Sequence, residues 1–454
     1  MIVHKRTNGL PMRKTTLCVA MLVAQAISAA PAFAQASDTE VRELRAMVEQ
    51  LQKKIEEIEA AQKAGASAVA SSATPAAPAT ASTPAPATAA RPGNLLPEGL
   101  TIYGTLDSGV ENVTNVGPGE GTVTRVPSTA GSVPSNVGLD LRRSVDDSIA
   151  VVGKAEMGIY LDSGSSGQGS RLFGRQIYIG LDSRRFGSVT FGRQYSMLLY
   201  ALGGGDILGP NIQGIGSFDA YIPNARHDNS VVWRTKFDKL SLGAHYSFGR
   251  DASTTSSVSV PGSGICGGED PGDASRCRSW SAMAKYDDPR FGVAVAIDNQ
   301  NGGSATTQAN LFNGASLIPM PSSSDEDRRI TANGYVRFGA LKLAGGWLGR
   351  KVSTTSRDVT QDMTWLQGEY AITPKVVVDG GFFHVENDDQ DTKANLYVIR
   401  GSYRFDDRLS TYLSLGWVDN GEDAAYGVST GGGGVSPAPG NSQLGSMVGV
   451  RYRF

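Results

Sequence analysis

The chain ends with Leu444-Gly-Ser-Met-Val-Gly-Val-Arg-Tyr-Arg-Phe454, and this stretch decides the fold. Neighbouring side chains of a β-strand point to opposite faces, so residues of one parity share a face. Polar Arg451 and Arg453 lie on one face. The opposite face carries five apolar or aromatic residues: Leu444, Val448, Val450, Tyr452 and Phe454. A strand that is apolar on one face up to its last residue is typical of a membrane β-barrel.

The same alternation extends back to about residue 100. Lys342 and Arg350 share one parity while Leu343 and Trp347 have the other, and Leu413 and its neighbours repeat the pattern. We count about sixteen such segments and predict an all-β fold, a transmembrane antiparallel barrel over residues 99–454. Short links alternate with long Gly/Ser/Pro-rich ones. The short links are Asp146-Asp147, Phe237-Asp238-Lys239, Asp287-Asp288-Pro289, Gly339-Ala340, Thr373-Pro374 and Asp406-Asp407.

The composition agrees with a barrel and argues against a bundle of membrane helices. Hydrophobic residues make up 40% of the 454 residues, and the mean hydropathy is −0.20. Strands that alternate apolar and polar residues average to such values. A soluble β-sandwich is the alternative, but it requires neither amphipathic strands throughout nor export.

Residues 1–34 have the features of a secretory signal peptide. Arg13 and Lys14 precede an apolar stretch, and Ala32-Phe33-Ala34 is an A-x-A cleavage site. Met12 would start an equally good signal, so either Met1 or Met12 is a candidate start. A lone membrane anchor is the alternative, although the apolar stretch is short for one.

Charge and cysteines restrict the function further. The formal charge is −2, and the predicted signal peptide carries only bases, so the mature chain is mildly acidic and nucleic-acid binding is not expected. Cys266 and Cys277 remain after cleavage of the signal, and in an oxidising compartment they predict one disulfide. Metal binding is the rival interpretation, which the lack of a nearby His disfavours. We expect no metal and no cofactor.

Residues 37–62 form a heptad segment. Position a holds Val41, Val48 and Ile55, and position d holds Leu44, Leu51 and Ile58. We predict a short coiled-coil helix, trimeric rather than dimeric, with a single amphipathic helix as the alternative. Residues 63–98 are mostly Ala, Pro, Thr and Ser, which predicts an extended linker that could reach peptidoglycan in the periplasm.

Three stretches of the barrel region resemble the general porins of Gram-negative bacteria, especially the beta-proteobacterial type. They are Leu100-Thr-Ile-Tyr-Gly-Thr-Leu-Asp-Ser-Gly-Val110, Arg175-Gln-Ile-Tyr-Ile-Gly-Leu181 and Phe186-Gly-Ser-Val-Thr-Phe-Gly-Arg-Gln194. The terminal Val450, Tyr452 and Phe454 resemble the signal that the barrel-assembly machinery reads. The resemblance implies a homotrimer in outer-membrane lipid, with a third long loop folded into the pore at about residues 196–225.

The resemblance also implies a set of pore residues. Arg193, Arg226 and Arg234 match arginines on the basic side of the constriction, and the loop supplies Asp206 and Asp219 as its acids. Parity places Arg193 with lipid-facing Val189 and Phe191, so a bulge at Gly192 is needed to turn it inward. Otherwise Arg193 lies at the lipid boundary or in a subunit interface.

The departures from the general-porin pattern concern selectivity. Thr105, Asn136 and Asp140 stand where that pattern has basic residues. Further charged candidates with lumen parity are Lys154, Glu156, Arg337, Lys342 and Arg400. The sequence does not fix the sign of the field in the pore.

The leading functional hypothesis is a water-filled channel for passive diffusion of ions and small polar solutes. An enzyme barrel is disfavoured, because His227, His245 and His384 lie in no recognisable catalytic motif. The second alternative is a structural tether or adhesin barrel that links the outer membrane to peptidoglycan through its N-terminal stalk.

Overall fold

The computed structural model describes residues 96–128, 131–252, 265–268, 270–303, 308–309, 318–430 and 432–454. The predicted signal peptide, the coiled-coil helix and all but the end of the linker lie outside these residues. Among the described residues, no helix is long and apolar enough to cross a membrane.

Sixteen antiparallel strands form one closed barrel, as the alternating pattern predicts. In chain order they are β1 (Leu100–Val116), β2 (Asn136–Ser144), β3 (Ile149–Gly158), β4 (Gln176–Ser183), β5 (Gly187–Tyr195), β6 (Arg226–Phe237), β7 (Leu240–Ser247), β8 (Ser279–Asp287), β9 (Phe291–Asn301), β10 (Glu326–Phe338), β11 (Leu341–Ser353), β12 (Asp358–Ala371), β13 (Val376–Asn387), β14 (Thr392–Arg404), β15 (Leu409–Asn420) and β16 (Gln443–Arg453).

The last strand closes the barrel against the first. β16 pairs with β1 from Thr105↔Arg453 to Val113↔Gly445, and the backbones of Gly104 and Phe454 exchange two hydrogen bonds. Closure leaves no unpaired edge between the sixteen described strands of the barrel wall, which is what a sheet needs in lipid. A short strand, Gly121–Arg125, pairs with the end of β1 above the barrel wall.

Each strand has an apolar outer face. On β11, Leu343 and Trp347 are exposed outward, whereas Lys342 and Arg350 are buried on the inner face, so the predicted parity is confirmed. Exposed aromatic residues follow the rim with short turns, which is the girdle expected where a barrel meets a membrane interface. This girdle includes Phe186, Phe237, Phe338, Tyr370, Phe405 and Phe454.

All six predicted short links connect neighbouring strands at this rim. The opposite rim carries the long segments. The largest uninterrupted one is the inner loop, which we define as residues 196–225 between β5 and β6. It contains helix α1 (Met197–Leu202) and two 3₁₀ turns, Ile215–Ser217 and Ile222–Asn224. Other helical turns are Gly167–Ser170 and Asp388–Gln390.

Candidate pore lining

The inner loop crosses the lumen and is bound to several strands. Near its start, Met197 N donates to Ser281 Oγ on β8 at 2.8 Å. Midway, Trp365 Nε1 on β12 donates to the Gly205 carbonyl at 2.8 Å, and further on Ser414 Oγ on β15 donates to Gln213 Oε1 at 2.7 Å. The loop therefore lies inside the barrel, as the family resemblance implies.

The loop is attached mainly by apolar packing. We call the strands β10–β15 the anchoring wall. The buried side chains of the loop contact inward-facing apolar residues of β11–β15. Burial of apolar area is worth about 25 cal/mol per Å², so this contact stabilises the attached loop alongside its charged contacts. The loop contributes Leu198, Leu202, Leu208, Ile215, Phe218 and Ile222, and the wall contributes Leu348, Met363, Trp365, Phe383, Leu396 and Val418.

The segment between β15 and β16 covers the loop on the side of the rim with the long segments. Tyr426 packs edge-on against Phe218, with ring centroids 5.1 Å apart. Ser217 Oγ donates to the Val428 carbonyl at 3.1 Å. This side of the lumen is filled by packed side chains, which leaves the opposite side as the candidate for an open route.

Asp219 of the inner loop is an anchor rather than a pore-facing acid. Arg329 on β10 binds its carboxylate at 2.7 Å, and both side chains are almost fully buried. Arg329 also pairs with Asp327 at 3.1 Å, and Asp327 pairs with Arg350 at 2.6 Å. Two guanidinium groups and two carboxylates thus neutralise each other between the loop and the wall.

Asp206 also faces the anchoring wall. Its Oδ1 accepts hydrogen bonds from Gln367 Nε2 at 2.8 Å and from Gly209 N at 3.2 Å. Burial raises the pKa of the Asp206 carboxyl to about 6, despite these two hydrogen bonds. Nearby, Arg400 is held by a two-point contact with Asp379 at 2.9 and 2.8 Å.

A buried polar network fixes the end of the loop. Tyr221 OH lies 3.0 Å from His227 Nε2 and donates to Asp298 at 3.1 Å, while His227 Nδ1 lies 2.8 Å from Ser279 Oγ. His245 bonds Ser230 at 2.9 Å as a wall histidine. Apart from the loop tyrosine, these side chains are at most 3% exposed, and their hydrogen bonds to one another support the end of the loop.

The opposite side of the lumen carries arginines on tyrosine rings. We call β3–β6 and the residues that lead into them the open wall. Arg226 lies 4.8 Å above the Tyr195 ring and donates to its hydroxyl at 3.0 Å. Arg175, just before β4, donates to the same hydroxyl at 3.0 Å and pairs with Glu156 at 2.5 Å.

Arg234 connects the open wall to the inner loop. Its guanidinium lies 4.4 Å from the ring of Tyr200 in α1. Lys154, on β3, pairs with Asp140 at 3.1 Å and contacts the hydroxyl of Tyr103. Lys154 therefore carries a compensating acid, as Arg175 does.

Arg193 faces inward through the backbone irregularity that the sequence requires. The ladder between β5 and β6 shifts register between Gly192 and Gln194, and Gly192 adopts a φ of +130°. Val189 and Phe191 are exposed outward while Arg193 is 5% exposed, so the predicted change of face is present. This φ favours glycine, because other residues rarely adopt it. In addition, a Cβ at this site would be too close to the backbone of Ile177.

The inward Arg193 is nevertheless compensated. It pairs with Asp228 of β6 at 2.6 Å, and Arg171 binds the same carboxylate at 3.1 Å. Arg337 and Lys342 lie near the rim with short turns. The Arg337 guanidinium is 5.6 Å and the Lys342 ammonium 4.8 Å from the centroid of the Tyr335 ring. Their roles in a constriction, like that of Arg193, stay predictions.

The remaining predicted residues lie away from the lumen. Cys266 and Cys277 form a disulfide in the segment between β7 and β8. Val450, Tyr452 and Phe454 are exposed on the outer face of the barrel. A role in barrel assembly stays a prediction for these three.

The structure brings Arg226 and Arg234 to one wall but separates them from Asp206 and Asp219. Sequence reasoning missed Arg175 and the tyrosines that carry the arginines. Tyr178 alternates with the outward-facing Ile177 and Ile179, so its lumen parity was an available signal. Tyr195 shares the parity of the outward-facing Val189 and Phe191 and turns inward only through the bulge at Gly192. The aromatic partner in α1, Tyr200, follows from no strand pattern.

The family comparison matches this geometry. Residues 66–423 match the model of the Gram-negative porin family. An outer membrane porin of Bordetella pertussis is 26% identical over 218 residues, which are 47% of this chain and 53% of that protein. The chain thus spans about half the length of the curated relative it matches.

Solved porins share the fold. The anion-selective porin from Comamonas acidovorans superposes with a TM-score of 0.63 at 19% identity, covering 78% of this chain and 99% of that one. Outer-membrane-expressed OmpT of Vibrio cholerae gives 0.57 at 16% identity, over 79% and 99%. OmpF of Salmonella typhi, in complex with daunomycin, gives 0.54 at 14% identity, over 78% and 97%.

These comparisons define the class of protein, a porin-type barrel. The chain belongs to the Gram-negative porin family.

Proposed function

We propose that this chain forms an outer-membrane channel for passive diffusion of small polar solutes, with a preference for anions. The single observation that carries the preference is the unequal compensation of charge in the lumen. No carboxylate of the described residues lies within ion-pair distance of Arg226 or Arg234. Both loop acids, Asp206 and Asp219, face the anchoring wall instead.

The physical consequence is a positive potential along the open route. Fixed guanidinium groups beside a narrow aqueous path attract anions and repel cations, and low-dielectric walls strengthen the effect. The tyrosines keep the arginines in place by contact with their faces, without neutralising them. The neutral pairs of Glu156 with Arg175 and of Asp140 with Lys154 leave this surplus unchanged.

Outer-membrane location and a homotrimer belong to the same proposal. The apolar outer face and the aromatic girdle support a barrel that is surrounded by lipid. One OmpT structure from Vibrio cholerae is described as a trimer form. The outer face of β1 and β4 is aliphatic and exposed, as a contact between copies requires: Ile102, Leu106, Val110, Ile177, Ile179 and Leu181.

The test is a planar-bilayer measurement on the purified full-length protein. We expect stepwise conductance in three equal levels. In a KCl gradient, the sign of the reversal potential should show that the channel prefers anions. A cation-selective reversal potential would overturn the preference. Absence of conductance would overturn the channel and favour the tether.

The N-terminal stalk is proposed to lie in the periplasm, because the linker precedes β1 at the rim with the short turns. Export by residues 1–34, assembly through the terminal strand and contact of residues 37–62 with peptidoglycan complete the proposal. Deletion of residues 37–62 should leave single-channel conductance intact if the stalk only anchors the barrel. Loss of the trimer in that variant would show that the stalk drives assembly.

A further inference from the structure

We infer that a cavity below helix α1 binds a small aromatic carboxylate on its way through the pore. The cavity has a volume of about 440 Å³, within the range of about 300–1,000 Å³ that small-molecule sites occupy. It lies between α1 and the rim with short turns, and its walls come from β4 and from β6–β8. The inference rests on the proposed channel function, because the cavity is part of the route.

The acids of the cavity are already paired. Asp182 binds Arg142 at 2.8 Å, and Asp287 binds Lys285 at 3.1 Å. Tyr335 OH also donates to Asp287 at 3.1 Å. A bound anion therefore meets no unpaired carboxylate among the described lining residues.

Three cations of the cavity lack such a partner. Arg184, Arg234 and Lys236 line it, and no carboxylate of the described chain lies within ion-pair distance of them. Lys236 and Arg234 are two apart on β6, so both side chains project from the same face of the strand. A guanidinium can bind a carboxylate through two parallel hydrogen bonds, which makes Arg234 the best candidate for the primary contact.

The cavity also offers apolar surface. Tyr200 and Met283 line it beside the cations. A thioether and a tyrosine ring pack favourably against an aromatic ring, and the guanidinium of Arg234 already lies against one ring at 4.4 Å. A carboxylate attached to an aromatic body uses both kinds of surface, whereas a simple inorganic anion uses only the charges.

The position predicts how binding appears in a current recording. Arg234 and Tyr200 line the cavity and also form the contact between the open wall and the inner loop. An occupant at this point lies on the ion path and obstructs it while it stays bound. Binding should therefore be visible as a saturable decrease in conductance.

The experiment titrates benzoate into bilayers that contain the purified full-length channel in KCl. Acetate supplies the charge without the aromatic body, and benzyl alcohol supplies the body without the charge. Benzoate should reduce conductance at concentrations where both controls have no effect.

Two cavity variants complete the test, with block measured relative to each variant's own conductance in the absence of benzoate. Lys236→Gln should raise the half-blocking benzoate concentration by about fivefold, the effect of one unit charge about 4 Å away in water. Met283→Ser should weaken block by benzoate and leave the response to acetate unchanged. Arg408→Gln, which removes an exposed arginine at a different short turn, is the matched control and should behave like wild type.

The outcomes separate this inference from the channel proposal. An anion-preferring channel that responds equally to benzoate and acetate would overturn the site and leave the proposed function standing. Unchanged block in both Lys236→Gln and Met283→Ser would also overturn it. Loss of anion preference in the wild type would overturn the two together.

Discussion

The anchoring wall and the open wall both carry arginines, but these arginines have different neighbours. Arg329 and Arg400 on the anchoring wall bind carboxylates at 2.7 to 2.9 Å and are buried. Arg226 and Arg234 on the open wall lie on tyrosine rings at 4.8 and 4.4 Å, and Arg226 is as buried as Arg329 but has no carboxylate partner among the described residues. The difference teaches that a count of lumen charges does not give the field: a paired guanidinium holds structure, and only an uncompensated one sets selectivity.

The largest effect is expected from Arg329→Met. The change leaves Asp219 and Asp327 buried without their shared partner, and breaking a buried ion pair typically costs about 3–5 kcal/mol. The inner loop should then be held by its apolar packing and its hydrogen bonds alone, so the folded barrel should melt at lower temperature and its conductance should become noisy. Thermal unfolding followed by gel mobility measures the first effect.

The matched control for this change is Arg328→Met. Arg328 is the next residue on β10, and its side chain is 43% exposed beside Glu326. Exposed pairs contribute about 0–1 kcal/mol, so this variant should melt close to wild type. Equal melting of the two variants would contradict the anchoring role of Arg329.

A smaller effect is expected from Arg234→Gln on the open wall. Removing one charge about 4 Å from the ion path changes the energy of a passing ion by about 1 kcal/mol in water, which corresponds to about fivefold in permeability ratio. The reversal potential in a KCl gradient should move toward cations, with no loss of thermal stability. Arg234→Lys, which keeps the charge, should retain most of the preference. A normal potential in the Gln variant would place the filter elsewhere.

A pH effect of moderate size is expected on the anchoring wall through Asp206. Its pKa is raised to about 6, so the folded state binds the proton more tightly than the unfolded state, whose pKa is near 3.9. By linkage, stability contributed by this group decreases as pH rises from about 4 to 6 and is lost above that range.

Asp206→Asn tests this expectation, since an amide oxygen can still accept from Gln367 and Gly209. Wild type should gain melting temperature when the pH is lowered from 7 to 5, relative to the Asn variant. Parallel pH profiles of the two proteins would show that Asp206 does not titrate in this range.

The smallest effect on the pore is expected from loss of the disulfide. The Cys266–Cys277 bond closes a loop with a sequence separation of 11, in a segment that contributes to neither wall. The variant with Ser at both positions should keep wild-type reversal potential and conductance. Mass spectrometry after alkylation of the unfolded wild type should find no free thiol. A changed selectivity in the double variant would show that this segment reaches the ion path.

The strands could be predicted from sequence because parity is a local property. Leu343 and Trp347 face outward and Lys342 faces inward as the period of two requires, and the turns at Asp146-Asp147 and Gly339-Ala340 lie where short links were expected. Even the bulge at Gly192 followed from the conflict between Phe191 and Arg193. In each case the deciding information lies within a few residues.

The partners of the charges could not be predicted in this way. Asp219 and Arg329 are 110 residues apart and meet only because the loop crosses the lumen. The sequence gives equal weight to Asp206 and Asp219 as pore acids, since nothing near them indicates which wall they face. Tyr195 carries Arg226 across a strand pair whose register is shifted by the bulge, so that contact also follows from the folded barrel alone.

The apolar packing of the inner loop on the anchoring wall has a consequence for how such channels diversify. Leu198 and Phe218 hold the loop from behind, whereas Tyr200 presents a different side of the same segment to the solute. Substitutions among the presented side chains leave the attachment untouched. The same fold can therefore acquire different permeation preferences through substitutions at a few positions. These substitutions do not destabilise the attachment of the loop.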